Sequence, residues 1–365
     1  MMNRRDFIAG GLGSALLLGA CDSVQFTPWK GKRLVMIQLI GGHDGLFAFA
    51  KRGISEIENR RPQLTKEFEK ECISLPNDWA MNSRLRALHE LVMNQELLFI
   101  PGVGYENPNT SHFKAQEFWD SGLLPAETNS KNRLTGWLGR AFESGTILDP
   151  SLDAPFLNLH NHRTVYDRGS KVRAVAFTDP DYGNWYSPYF DDFSAQFSSG
   201  LKDYQKRLSA LDFVKKGSYS GELGSQLMSA AQIIQHDLPY PVLHCVLGGF
   251  DTHGGQIERL TDLYEDFSVS LSRFAADLKR SGHWKDTLVF VYSDFGRTID
   301  ENASGGTDHG FSGLSLLAGG DLSAFSSLAD FFSIPNPRFI NRRGELFLAH
   351  EHDFREVLKC VEGWL

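Results

Sequence analysis

Five short segments of this 365-residue chain carry aspartate, histidine or serine, four of them beside glycine. They are Gly41-Gly42-His43-Asp44-Gly45, Thr110-Ser111-His112-Phe113, Gly248-Gly249-Phe250-Asp251-Thr252-His253, Ser293-Asp294-Phe295-Gly296-Arg297 and Gly305-Gly306-Thr307-Asp308-His309-Gly310. Carboxylates and imidazoles are the side chains that share a divalent cation, and flanking glycines let the backbone approach it. Asp251 and His253 lie two positions apart, so an extended segment turns both to one side. Asp44, Asp251, His253, Asp294 and His309 are therefore candidate ligands for a divalent metal, with zinc, calcium and magnesium all open. Ser111, or Thr110, opens a helical segment. Arg297 carries a planar fork that pairs with sulfate or phosphate. Each residue taken singly has a plainer role. Asp44 and Asp308 suit turn acceptors, Ser111 or Thr110 suits a helix N-cap, and Arg297 suits a surface ion pair. Their convergence carries the reading.

Such residues need strands that end in one place. Nearly continuous apolar runs occur at residues 34–40, 97–100, 172–177, 242–247 and 288–292, with a weaker one at 314–318. Runs of this kind are typical of strands buried on both faces, as in a parallel sheet. Ile257, Leu260, Tyr264, Phe267, Leu271, Phe274 and Leu278 repeat at three and four, which predicts an amphipathic helix over 256–280, closed by Gly282. Leu85, Leu88 and Val92 line a second helical face. Strand, helix and strand in that order imply right-handed crossovers. The expected fold is α/β, a three-layer α/β/α sandwich with a mostly parallel central sheet. In such sheets ligands gather beyond the carboxyl ends of the strands, which is where the five motifs fall. Residues 178–200, rich in aspartate and aromatics, read equally as a lid or as a packed covering. No phosphate-binding GxxxxGK[ST] loop, strand-following GxGxxG or GxSxG elbow occurs.

The first twenty residues are of another kind. Arg4-Arg5-Asp6-Phe7-Ile8 precedes a Gly/Ala-rich apolar run ending at Ala20. The order resembles a twin-arginine signal, which exports proteins already folded. Leu18-Gly19-Ala20-Cys21 resembles a lipobox, in which Cys21 takes the lipid; an ordinary signal peptide with a chance cysteine is the plainer reading. Asp22 fits retention at the inner membrane. The expected organisation is a signal peptide at 1–20, a tether at 21–32 and a single domain at 33–365. It places the protein in the periplasm, held to a membrane by lipid alone and using the twin-arginine machinery as a partner. The net charge of −8 argues against a nucleic-acid surface. Four cysteines are too few for a disulfide scaffold. Cys245 reads as a buried thiol, and Cys72 with Cys360 is an open pairing.

Together the five motifs, with Gly-Trp-Leu-Gly-Arg at 136–140, resemble a bacterial domain-of-unknown-function family, number 1501, whose members typically carry a twin-arginine signal. That family is similar to the alkaline phosphatase and sulfatase superfamily. The resemblance implies an alkaline phosphatase-like fold and metal-assisted hydrolysis of phosphate or sulfate esters. It matches Asp44, Asp251, His253 and Asp294 to metal ligands, His309 to a metal-binding or leaving-group histidine, and Ser111 or Thr110 to the nucleophile. It implies a small anionic ester or an envelope glycan as substrate. Three features depart from the pattern: Asp251 and His253 are unusually close, Phe295 stands where a ligand is expected, and Thr110 replaces an arginine. A non-catalytic envelope binding or assembly protein with a degenerate site is the competing reading.

Overall fold

The computed structural model describes residues 28–127, 135–148, 152, 155–160, 174–176, 219–328 and 336–365. The export signal, Cys21 and the loop at 178–200 lie outside the described residues. Eight strands form the main sheet: β1 (Arg33–Leu39), β2 (Leu97–Gly104), β3 (Phe156–Asn158), β4 (Ala174–Ala176), β5 (Val242–Leu247), β6 (Thr287–Ser293), β7 (Gly313–Gly319) and β8 (His352–Asp353). Their spatial order is β8-β2-β7-β6-β1-β5-β3-β4. Neighbours pair in parallel except around β7, which runs antiparallel to both β2 and β6.

β1 lies near the middle with every residue buried. Its alternate side chains feed opposite faces, as the period of two requires. Val35, Ile37 and Leu39 enter one core with helices α2 (Gly221–Gln235) and α3 (Gln256–Ser281). Leu34 and Met36 enter the other with α1 (His112–Ser121) and α4 (Phe354–Trp364). Two helical layers thus cover one mostly parallel sheet, the expected three-layer α/β/α sandwich. α3 buries Leu260, Tyr264, Phe267, Leu271, Phe274 and Leu278 and stops at Gly282, whose φ of 79° provides the left-handed C-cap. Leu85, Leu88 and Val92 are buried too, but on a 3-10 turn running into a short α-helix.

The reversed direction of β7 follows from its connection. The chain leaves β6 at Ser293, forms the hairpin Arg297–Glu301 with Thr307–His309, and re-enters the sheet from the same end. A strand entered that way needs no crossover helix and must run back. The three strands β6, β1 and β5 lie side by side, so their carboxyl ends place residues 294, 41–44 and 248–253 together. Gly41 has a φ of +119°, and a Cβ there would lie 2.3 Å from the Asp251 nitrogen, so only glycine lets these two strand ends meet. Cys72, Cys245 and Cys360 are all free, so the Cys72–Cys360 pairing is not formed, while Cys245 is buried as its sequence context implies. Among the described residues no helix is long and apolar enough to cross a membrane.

Candidate metal centre

Beyond the ends of β5 and β6, three imidazoles and one carboxylate face one another. His112 Nε2 lies 3.1 Å from His309 Nε2, and His253 Nε2 lies 2.9 Å from the same atom. Asp251 Oδ1 is 3.5 Å from His112 Nε2, 3.2 Å from His309 Nε2 and 3.0 Å from His253 Nε2. His112, Asp251 and His309 form a set able to hold a metal ion. Donors about 2.0–2.1 Å from a tetrahedral zinc stand roughly 3.3 Å apart. The three edges of this set, 3.1, 3.5 and 3.2 Å, have that size.

The other nitrogen of each imidazole is fixed. His112 Nδ1 meets Asp294 Oδ2 at 2.7 Å, His253 Nδ1 meets Asp308 Oδ1 at 2.7 Å, and His309 Nδ1 meets the Thr110 carbonyl at 2.8 Å. A carbonyl oxygen only accepts, so His309 carries its proton on Nδ1 and presents a lone pair at Nε2. Carboxylates impose the same tautomer on the other two rings. Lone pairs then point at lone pairs across about 3 Å, an arrangement that a shared cation or proton relieves. The hydrogen bond with Asp294 pushes the His112 imidazole above its ordinary value, against the effect of burial. Burial pulls His309 below its own. For Asp251 burial acts upward, but the hydrogen bond and charge of Arg297 outweigh it and hold the carboxyl at about 2.

The sequence-derived candidates separate into two groups. Asp251, His253 and His309 converge. Asp294, expected as a ligand, instead has its oxygens taken by His112, the Gly41 N–H at 3.1 Å and Gln116 Nε2 at 3.2 Å. Asp44, also expected as a ligand, is buried away from the set. Its carboxylate pairs with Arg61 at 2.9 Å and accepts from Gln256 Nε2 at 2.6 Å and the Leu46 N–H. Arg297 is not an open fork for an anion. Its side chain is buried and donates to the carbonyls of Gly41, Gly42, Phe250 and Thr307 and to Asp251 Oδ1 at 2.5 Å. It ties the ends of β1 and β5 to the hairpin. Ser111 is exposed at the start of α1 beside His112, and no capping bond engages its side chain. Thr110 contributes its carbonyl.

His112 and Asp308 were not among the predicted site residues. His112 sits in the motif that drew attention to Ser111, one position further on. Asp308 adjoins His309 on a strand, where neighbours point to opposite sides, so its partnership with His253 shows only in three dimensions. Phe295 supplies no ligand. Its ring lies 4.7 Å from that of His112 and 4.9 Å from that of His309, an apolar wall that fixes both imidazoles.

A family model matches this chain. It describes a protein of unknown function (DUF1501) and covers residues 199–324, a span that includes Asp251, His253, Asp294, Arg297, Asp308 and His309 but not His112. No curated protein matches the sequence. Among solved structures, the chain is similar to the C-terminal periplasmic domain of EcEptC from Escherichia coli, with 11% identity, 91% of this chain and 96% of that one covered, and a TM-score of 0.37. The same domain is also known in a complex with zinc. A protein in the alkaline phosphatase superfamily from Vibrio parahaemolyticus matches at 12% identity, covering 88% and 70%, with a TM-score of 0.36. The soluble domain of lipooligosaccharide phosphoethanolamine transferase A from Neisseria meningitidis matches at 12%, covering 84% and 83%, with a TM-score of 0.32. Similarities this low transfer no residue role to this chain.

Proposed function

We propose that this protein is a metal-dependent hydrolase of phosphate or sulfate esters working at the cell envelope. The observation that carries the reading is the convergence of three imidazole Nε2 atoms and the Asp251 carboxylate, with every opposing Nδ1 already fixed. Two imidazole nitrogens and one carboxylate oxygen, with the His253 nitrogen beside them, suit zinc better than calcium or magnesium, which take mostly oxygen. His112, Asp251 and His309 would hold the ion, with His253 at their edge. When bound, the ion supplies Lewis-acid stabilisation of the charge that develops on the ester oxygens.

The chain's own residues do the rest. Ser111, exposed at the first turn of α1, is the proposed nucleophile, and Thr110 is the alternative. The helix N-terminus favours the anionic group of the substrate there. Arg297 anchors the strand ends and keeps the Asp251 carboxylate ionised. The export reading belongs to the same proposal. A twin-arginine signal carries a folded protein, so metal loading can precede translocation, and Cys21 would then hold the enzyme at the inner membrane by lipid.

A second reading is favoured by one contact. Arg297 already donates to Asp251 Oδ1 at 2.5 Å, the oxygen an ion would need. A guanidinium in that position suits a binding or assembly protein that has kept the fold without the chemistry. Metal analysis of folded, unchelated protein, paired with assays on aryl phosphate and aryl sulfate esters, separates the two. The hydrolase reading expects close to one equivalent of zinc and turnover, both lost in Asp251→Ala. Well under half an equivalent of any divalent metal together with no hydrolysis would leave only the binding protein.

A further inference from the structure

We propose that Asp294 and Asp308 are positioning residues: each aims one imidazole at the ion and neither binds it. The inference rests on the metal reading above and changes which carboxylates serve it. Asp308 Oδ1 is 2.7 Å from His253 Nδ1, and Asp294 Oδ2 is 2.7 Å from His112 Nδ1. In both pairs the contact is to the nitrogen on the far side of the ring from the other donors. Imidazoles that bind metals commonly give their second N–H to a carboxylate or carbonyl, which fixes the ring and its tautomer. His309 completes the pattern with the Thr110 carbonyl.

Each carboxylate is itself held. Asp294 receives the Gly41 N–H and Gln116 Nε2. Asp308 receives Asn302 Nδ2 at 3.5 Å, and its backbone N–H donates to Thr298 Oγ1 at 3.0 Å. Asn302 Nδ2 also donates to the His253 carbonyl at 3.0 Å, while Asn302 Oδ1 accepts from the N–H groups of Ser304 and Gly306. The turn at 302–306 therefore holds His253 by its backbone, and Asp308 holds it by its ring. His253 gains its direction from the hairpin that carries His309, so one element sets two of the donors.

Asp308 is exposed and its replacement leaves the core untouched, so Asp308→Ala and Asp308→Asn are the decisive pair. The amide oxygen of asparagine still accepts the Nδ1 proton. Zinc affinity is measured by competition with a chromophoric chelator. Asp308→Ala should bind zinc 10–100-fold more weakly than the parent, and Asp308→Asn should recover most of that loss. His309→Ala, which removes a donor, should bind no zinc at the site. Nitrogen-15 spectra of the imidazoles give a readout independent of the ion: in metal-free protein, His253 should be the Nδ1–H tautomer, with that preference lost in Asp308→Ala and kept in Asp308→Asn. Equal zinc affinity in Asp308→Ala and the parent would overturn the inference alone. An asparagine variant as weak as alanine would also overturn it, because charge or direct ligation would then be the role. A parent protein that takes up no zinc while showing the expected tautomer would sink the metal reading and, with it, the purpose assigned to the two carboxylates.

Discussion

His43 is an imidazole with one nitrogen left unanswered. It is buried between Phe250 and Tyr264, its Nε2 lies 3.0 Å from the Tyr264 hydroxyl, and its Nδ1 has no partner among the described residues. The Tyr264 hydroxyl donates onward to the Asp44 carbonyl, so its oxygen accepts and His43 Nε2 carries the proton. A second proton on Nδ1 would be buried without an acceptor, and burial lowers this group from 6.5 to about 4. The unfolded chain takes up that proton below pH 6.5, and the folded chain resists until about 4. The contribution of His43 is therefore complete above pH 6.5 and is lost as the pH falls toward 4, by about 3 kcal/mol at most. Denaturant unfolding at pH 7 and pH 4.5 should show a larger drop for the parent than for His43→Phe; equal drops would refute the assignment. The legible residues were those whose own backbone aims them. Asp251 and His253 share a side of one extended segment, and His309 ends a Gly-rich hairpin strand. His112 was hidden because a serine beside a helix start has a role of its own. The Asp44–Arg61 pair was hidden too, since Arg61 lies 17 residues away and nothing local announces it.

At the scale of elements, the buried Asp44–Arg61 pair joins the turn after β1 to the hairpin. Arg61 also donates to the carbonyls of Thr298 and Ile299. Removing one partner of such a pair leaves an uncompensated charge, a loss of about 3–5 kcal/mol. Asp44→Asn should thus unfold at clearly lower denaturant while keeping the parent's zinc stoichiometry. Loss of zinc without loss of stability would restore Asp44 as a ligand. The strands at 34–40, 242–247 and 288–292 were legible because burial on both faces writes an unbroken apolar run. β3 and β8, three and two residues long, leave too short a trace. The direction of β7 was not legible at all. An apolar run records burial and is silent on polarity, which the hairpin before it decides.

At the scale of the whole molecule, the candidate centre draws on the segments that follow β2, β5 and β6 and on the hairpin before β7. His112 and His309 are 197 positions apart, His112 and Asp294 are 182 apart, and His309 and Asp251 are 58 apart. His112 and His309 alone are separated by 197 positions, so no short stretch of chain holds the whole set of donors. Contacts so distant in sequence form late, after the loops between them have closed. An ion that needs all of them meets no complete site until the sheet is built. Zinc should therefore leave the refolding rate unchanged and slow unfolding, so that a chevron measured with and without chelator shifts only in its unfolding arm. A refolding arm that rises with zinc would mean that the donors meet before the strands do. On this view metal is no template for the chain. On the proposed reading it would be a latch that closes on a finished molecule and sets how long that molecule lasts.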